Sequence, residues 1–130
     1  MSGIYCCQCG ESVDARLTTG EEIYPHRKDL KALPFWKHDD CGNYVGCHHK
    51  TKTPIKPLGV IPTHEIRGWR KTIHTKLDPI WQSGRMSRKG IYSYLSRHLG
   101  FEYHTAKLRT VEECEKVYEL VLHLDDALDF

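Results

Sequence analysis

The apolar positions show no helical period before residue 50 and a clear one after residue 63. Residues 1–50 contain Gly, Pro, Asp and Asn with scattered aromatics, and read as loops and short strands. The strand candidates are 22–24, 35–37 and 44–47. Residues 51–62 carry three prolines, which fix φ and remove backbone donors, so they read as a partly extended connector.

Beyond it, Ile66, Trp69, Ile73 and Leu77 recur at intervals of 3, 4 and 4, which predicts an amphipathic helix over 63–77. Thr63 is its candidate N-cap, and Asp78 or Pro79 should end it. Ile80 and Trp81 then pack as an anchor before a turn at 82–85. A second helix is expected from Ser87, as N-cap, to Gly100, just past its end, with Ile91, Tyr94, Leu95 and Leu99 inward. Thr110-Val111-Glu112-Glu113 has the form of a capping box. It opens a third helix with Val111, Cys114, Val117, Val121 and Leu124 inward, whose last residues, 125–130, should fray. The expected fold class is α+β: a small module of short antiparallel strands over 1–50, the connector over 51–62, and a three-helix lobe over 63–130, packed as one compact unit.

A chain of 130 residues suits that plan, being too short for two full-sized cores. No run of 18 apolar residues occurs, so no transmembrane helix and no membrane partner are expected. The first residues lack a basic stretch followed by an apolar one, which favours the cytoplasm. The net charge of +2 by itself speaks against a polyanionic partner, but its distribution changes that. Residues 50–109 hold 13 basic and 3 acidic side chains, whereas 110–130 hold 1 and 7. A basic block of this density attracts phosphates and releases their counterions. Its plainer reading is a solvated surface balanced by the acidic tail.

Six cysteines in a cytoplasmic chain suit metal ligation or free thiols better than disulfides. Cys6-Cys7-Gln8-Cys9-Gly10 places two thiols two residues apart, with a glycine that lets the turn close. His38-Asp39-Asp40-Cys41-Gly42 repeats the form ligand-x2-Cys-Gly after 28 intervening residues. Cys6, Cys9, His38 and Cys41 are therefore the expected tetrahedral ligands of one structural zinc ion, in a zinc-ribbon-like module. A 50-residue piece poor in large apolar residues needs the folding free energy that a metal supplies. Cys7, Cys47, His26, His48 and His49 are competing ligands. Cys47 and Cys114 have a plainer role as small buried residues.

On the first long helix, Arg67, Lys71, His74 and Asp78 follow at intervals of 4, 3 and 4, away from the apolar stripe. With Arg70, Arg85, Arg88 and Lys89, and with His48 at the rim of the zinc module, they are the candidate contacts for nucleic acid or another partner. Trp69, Tyr92, Tyr94 and Tyr103 offer rings for base stacking, although several should be core. His74 beside Asp78 has the makings of a general base, and with His48 of a metal-dependent nuclease. Yet the chain has no phosphate-binding G-x-x-x-x-G-K, no G-x-S-x-G and no H-E-x-x-H, and neither an enzyme nor a small-molecule substrate is expected. Leu120, Leu122 and Leu124 lend themselves to dimerisation or to covering the zinc module.

The chain also resembles a family of small phage and bacterial zinc-finger-containing domains of unknown function. The resemblance lies in Cys6-Cys7-Gln8-Cys9-Gly10, in Trp36-Lys37-His38-Asp39-Asp40-Cys41-Gly42, in Tyr44-Val45-Gly46-Cys47-His48, in Pro57-Leu58-Gly59 and in Asp78-Pro79-Ile80-Trp81. His38 stands where that family usually has cysteine. The resemblance implies a zinc module, a helical lobe and a setting in mobile genetic elements. The expected function is a phage- or mobile-element-associated accessory protein that binds nucleic acid through the basic helical surface. The alternative is an inhibitor or adaptor that acts by protein contact on a host or defence complex such as a nuclease.

Overall fold

Two hairpins carry the N-terminal part of the chain. In the computed structural model, which describes residues 3–128, β1 (Ile4–Cys6) pairs antiparallel with β2 (Glu11–Val13). A second sheet holds β3 (Arg16–Thr19), β4 (Pro34–His38) and β5 (Asn43–Gly46), antiparallel and in that order. In register, Leu17 faces Trp36 and Trp36 faces Val45. Strand pairs directly opposite share a face, and Val45 joins Ile4, Cys6 and Ile61 in a small buried core with Trp36 and Cys41 packed against it. The opposite face carries Phe35, edge-on to Tyr24 and Tyr44.

The strands expected at 35–37 and 44–47 lie within or across β4 and β5, but no strand forms at 22–24. There the chain makes a one-turn helix, α1 (Gly20–Ile23), closed by the Tyr24 N–H on the Gly20 carbonyl at 2.8 Å. The loop between β3 and β4 is cinched by Gly20 N–H to Leu33 O at 3.0 Å and Glu21 N–H to Lys31 O at 3.2 Å, which leaves 22–24 no strand to pair with. Strands β1, β2 and β3 were not foreseen: each is only three or four residues long and exists by pairing.

The proline-rich segment returns to the strands. Leu58 N–H donates to Gly46 O and Ile61 N–H to Tyr5 O, while Ile61 O accepts from Cys7 N–H at 2.9 Å. Ile61 is fully buried.

The chain divides into two units, up to His64 and from Glu65 onward. The second unit holds α2 (His64–Gln82), α3 (Arg88–Leu99) and α4 (Val111–Leu128). Its core is Ile66, Ile73, Leu77, Ile80, Ile91, Leu95, Tyr103, Leu108, Cys114, Val117, Val121 and Leu124. Helix α2 does not stop at Asp78 or Pro79 but continues to Gln82. Proline forfeits one backbone bond inside a helix. Here the last turn is held by the fully buried Ile80, by Trp81 Nε1 donating to Asp78 Oδ1 at 3.0 Å, and by Ser83 N–H on Pro79 O at 3.0 Å.

The caps of α3 and α4 follow the sequence. Ser87 Oγ accepts from Gly90 N–H at 2.9 Å, and Gly100 closes α3 with φ of 82°. Thr110 Oγ1 accepts from Glu113 N–H at 3.1 Å, and the Glu113 carboxylate accepts from Thr110 N–H at 3.2 Å, the reciprocal capping box. Helix α4 keeps its hydrogen bonding to Leu128, so 125–128 are helical rather than frayed; the last two positions of that expectation lie outside the described residues.

Candidate functional site

The two ligand-x2-Cys-Gly repeats sit at the tips of the two hairpins. Gly10 N–H donates to Cys6 O, and Gly42 N–H donates to His38 O, both at 2.8 Å. Each glycine has positive φ, 71° and 78°, the left-handed conformation that side chains resist. One local geometry is thus made twice, and each copy points two donor atoms inward.

Tertiary structure brings the four donors together. Cys6 Sγ lies 3.6 Å from Cys41 Sγ, and His38 Nδ1 lies 3.5 Å from both Cys9 Sγ and Cys41 Sγ. All four atoms fall within 4.8 Å of one another. A tetrahedral ion with bonds of about 2.3 Å to sulfur and about 2.0 Å to nitrogen separates its donors by roughly 3.5–3.8 Å. The set therefore fits one zinc ion, and a Cys3His set is closed by protein, as structural sites are. Histidine uses Nδ1, and its Nε2 lies 3.6 Å from the exposed Asp40 carboxylate. Crowding the sulfurs has an electrostatic cost without a cation. The Cys9 thiol is pushed up to about 11 by partial withdrawal from water and by the adjoining Cys6 and Cys41 sulfurs. A divalent ion reverses that balance and holds the thiolates.

The competing ligands lie elsewhere. Among the described residues, the group that could hold a metal contains none of Cys7, Cys47, His26, His48 and His49. Cys47 is buried, and burial pushes its thiol up. The His48 backbone bonds Lys56 O and Thr51, at the base of an exposed loop that also carries His49, Lys50 and Lys52.

Two contacts around the site were missed from sequence. Asn43 Nδ2 donates to Gln8 Oε1 at 2.8 Å and ties one knuckle to the other. Arg16 makes two bonds to Asp39 at 2.9 Å and two to Glu22, which also accepts from Lys37 and Thr18. Arg16 first, with Thr18 and Lys37, holds the Glu22 carboxyl well below the usual range, and Arg16 also lowers Asp39. Nothing but three-dimensional proximity marks these residues as partners.

The sequence of the zinc-finger-containing domain family matches residues 2–123. The chain belongs to that family. No curated protein and no solved structure matches it. With the family's zinc finger and the Cys6, Cys9, His38 and Cys41 cluster, this zinc-finger domain has a site for one zinc ion. Among the described residues, no helix is long and apolar enough to cross a membrane.

The candidate basic residues differ in what already engages them. Arg70 is not an open surface cation: its Nη2 donates to Ala106 O at 2.9 Å and Leu108 O at 3.1 Å, pinning the segment before α4. Arg85 is neutralised by Asp125 at 2.8 Å. Lys71, Arg88 and Lys89 are exposed, and Arg67 and His74 are half-buried. His74 Nδ1 lies 3.3 Å from Asp78, Asp78 holds the Trp81 indole, and the Arg88 guanidinium lies over the rings of Trp81 and Tyr92 at 5.9 and 5.5 Å. His74 and Asp78 thus belong to a linked row that runs from α2 onto the start of α3.

Proposed function

We propose that this zinc-finger domain is a non-catalytic, cytoplasmic accessory protein of a phage or other mobile element that binds nucleic acid. The observation that carries the reading is the row Arg67, Lys71, His74, Arg88 and Lys89, with Trp81 and Tyr92 alongside, within the basic block of residues 50–109. Cations at this spacing suit successive phosphates, and a guanidinium beside aromatic rings suits both phosphate and base contact. The zinc site supports the reading as a brace for the N-terminal unit rather than as a reaction centre, because its four protein donors leave no open position. Asp78 has its carboxylate committed to His74 and Trp81, which argues for positioning over proton transfer.

The test is a titration of the zinc-loaded chain with single- and double-stranded DNA and RNA between 50 and 200 mM salt, roughly the range over which phosphate-driven affinity collapses. Affinity should fall linearly on a log–log plot, and Lys71→Ala and Arg88→Ala should each lower the slope by about 1. Absence of binding to all four polymers at low salt overturns the proposal.

A second reading is favoured by the acidic face of α4, where Glu112, Glu115, Glu119 and Asp126 are exposed. In it, the protein contacts a host or defence protein directly. Capture from nuclease-treated host lysate separates the two, since only the protein contact survives nuclease.

A further inference from the structure

We infer that the groove between α2 and α4 is a docking site for a cationic side chain, arginine or lysine, of a protein partner. This surface is separate from the basic row, and the inference does not rest on nucleic-acid binding. The groove has a volume of about 330 Å³ and is lined by Glu65, Gly68, Trp69, Thr72 and Tyr118. That size is at the lower end of ligand sites, roughly 300–1,000 Å³. It is open to solvent along its length.

Three features select the occupant. First, the Trp69 and Tyr118 rings meet at 66° with centroids 5.9 Å apart, so they form two walls of a corner. Aromatic faces attract guanidinium and ammonium groups through the ring quadrupole, tryptophan most strongly. Second, Glu65 lies one turn before Trp69 on α2 and lines the same groove, and among the described residues its carboxylate has no hydrogen bond or ion pair. A corner of two rings with a carboxylate at its edge offers a cation both stacking and charge. Third, the α4 rim is acidic: Glu115 is one turn before Tyr118, Glu119 follows it, and both are exposed. A nucleobase could stack on one of the rings, but its phosphates would meet these carboxylates. A cationic side chain meets no such penalty. Gly68 and Thr72 keep the floor low; a Cβ at Gly68 would meet nothing within 4 Å, so the space beside Trp69 is open.

Trp and Tyr that stay half-exposed on a helical pair are also the residues that concentrate binding energy at protein interfaces. Long basic side chains suit such a groove because their methylenes lie along the rings while the charged end reaches the carboxylate.

The experiment is a titration of the zinc-loaded full chain with a penta-arginine peptide, followed through the Trp69 indole N–H resonance. The matched penta-citrulline peptide keeps the shape and removes the charge. The expected result is a saturable shift of the Trp69 signal with arginine and none with citrulline, weakened at least five-fold by Glu65→Gln and abolished by Trp69→Leu. Glu65 is exposed, so its glutamine variant keeps the fold and gives a readout even if Trp69→Leu does not. Equal response to citrulline, or full affinity in Glu65→Gln, overturns the inference. So does a Trp69 shift produced by oligo-dT, or by raising the protein concentration alone, which would make the occupant nucleic acid or a second copy.

Discussion

His38 presents Nδ1 to the Cys9 and Cys41 sulfurs at the distance one ion requires, with Cys6 in the same cluster, and a thiolate at that position would complete the same tetrahedron. His38→Cys should therefore keep one zinc per chain, whereas Cys9→Ser should fall well below that, as measured by metal analysis of protein purified without added zinc. Two glycines test different physics. At Gly42 a Cβ meets nothing, so Gly42→Ala incurs only the left-handed backbone cost, roughly 1–2 kcal/mol. At buried Gly20 a Cβ would overlap the Leu30 carbonyl, and Gly20→Ala should lose at least about 1–3 kcal/mol by overpacking in denaturant unfolding. Glu22 supplies a pH dependence. Its folded value lies below its unfolded one, so its contribution is fully present above the unfolded value near pH ~4.3 and is lost as pH falls toward the folded value. Glu22→Gln should lower stability at neutral pH and flatten that part of the acid limb.

At the scale of elements, local rules and packing divide the work. Ser87 and Thr110 cap their helices as the sequence indicates, and Ser87→Ala should reduce the stability of the helical unit by about 1 kcal/mol. Helix α2 shows where local rules fail: Pro79 reads as a stop, yet burial of Ile80 carries the helix one turn further. Pro79→Ala should then restore a missing backbone bond and raise thermal stability, by up to about 3 kcal/mol. The unforeseen strands fail in the opposite sense. Glu11-Ser12-Val13 and Arg16-Leu17-Thr18-Thr19 have too little alternation to announce a strand, and only their partners make them one. At 22–24, Tyr24 packs on Phe35 and Tyr44, a tertiary contact that needs no strand.

Across the whole molecule, the two units differ in what holds them. The helical unit buries Ile73, Leu77, Ile80, Ile91, Leu95, Leu108, Val117 and Val121 almost completely, a core adequate without metal. Among the described residues, the N-terminal cluster is Ile4, Cys6, Val45 and Ile61, with Phe35, Cys47 and Val60 buried in the same unit, and Cys6 is a ligand. Its fold should depend on zinc. Chelation should abolish the Tyr24, Phe35 and Tyr44 ring-contact signals while helical circular dichroism at 222 nm, about where α-helix absorbs most distinctly, largely persists. Parallel loss of both signals would show that the helical unit needs the metal as well.

By itself, the sequence determined the α+β order of the chain, the caps and apolar stripes of α3 and α4, and the four zinc ligands. The caps, the stripes and each ligand pair are written in spacings of three or four residues, where chain geometry alone decides which groups meet, while the fold brings the two ligand pairs together. Tertiary structure alone decided the pairing of the short strands, the return of 56–61 onto β5 and β1, the continuation of α2 through Pro79, and the fate of individual cations. Arg70 and Lys71 are neighbours in sequence, yet one is bonded to two carbonyls 36 and 38 residues away and the other faces solvent. Charge on a residue is a property of the sequence. Whether that charge is already used depends on what distant backbone or carboxylate the fold brings against it.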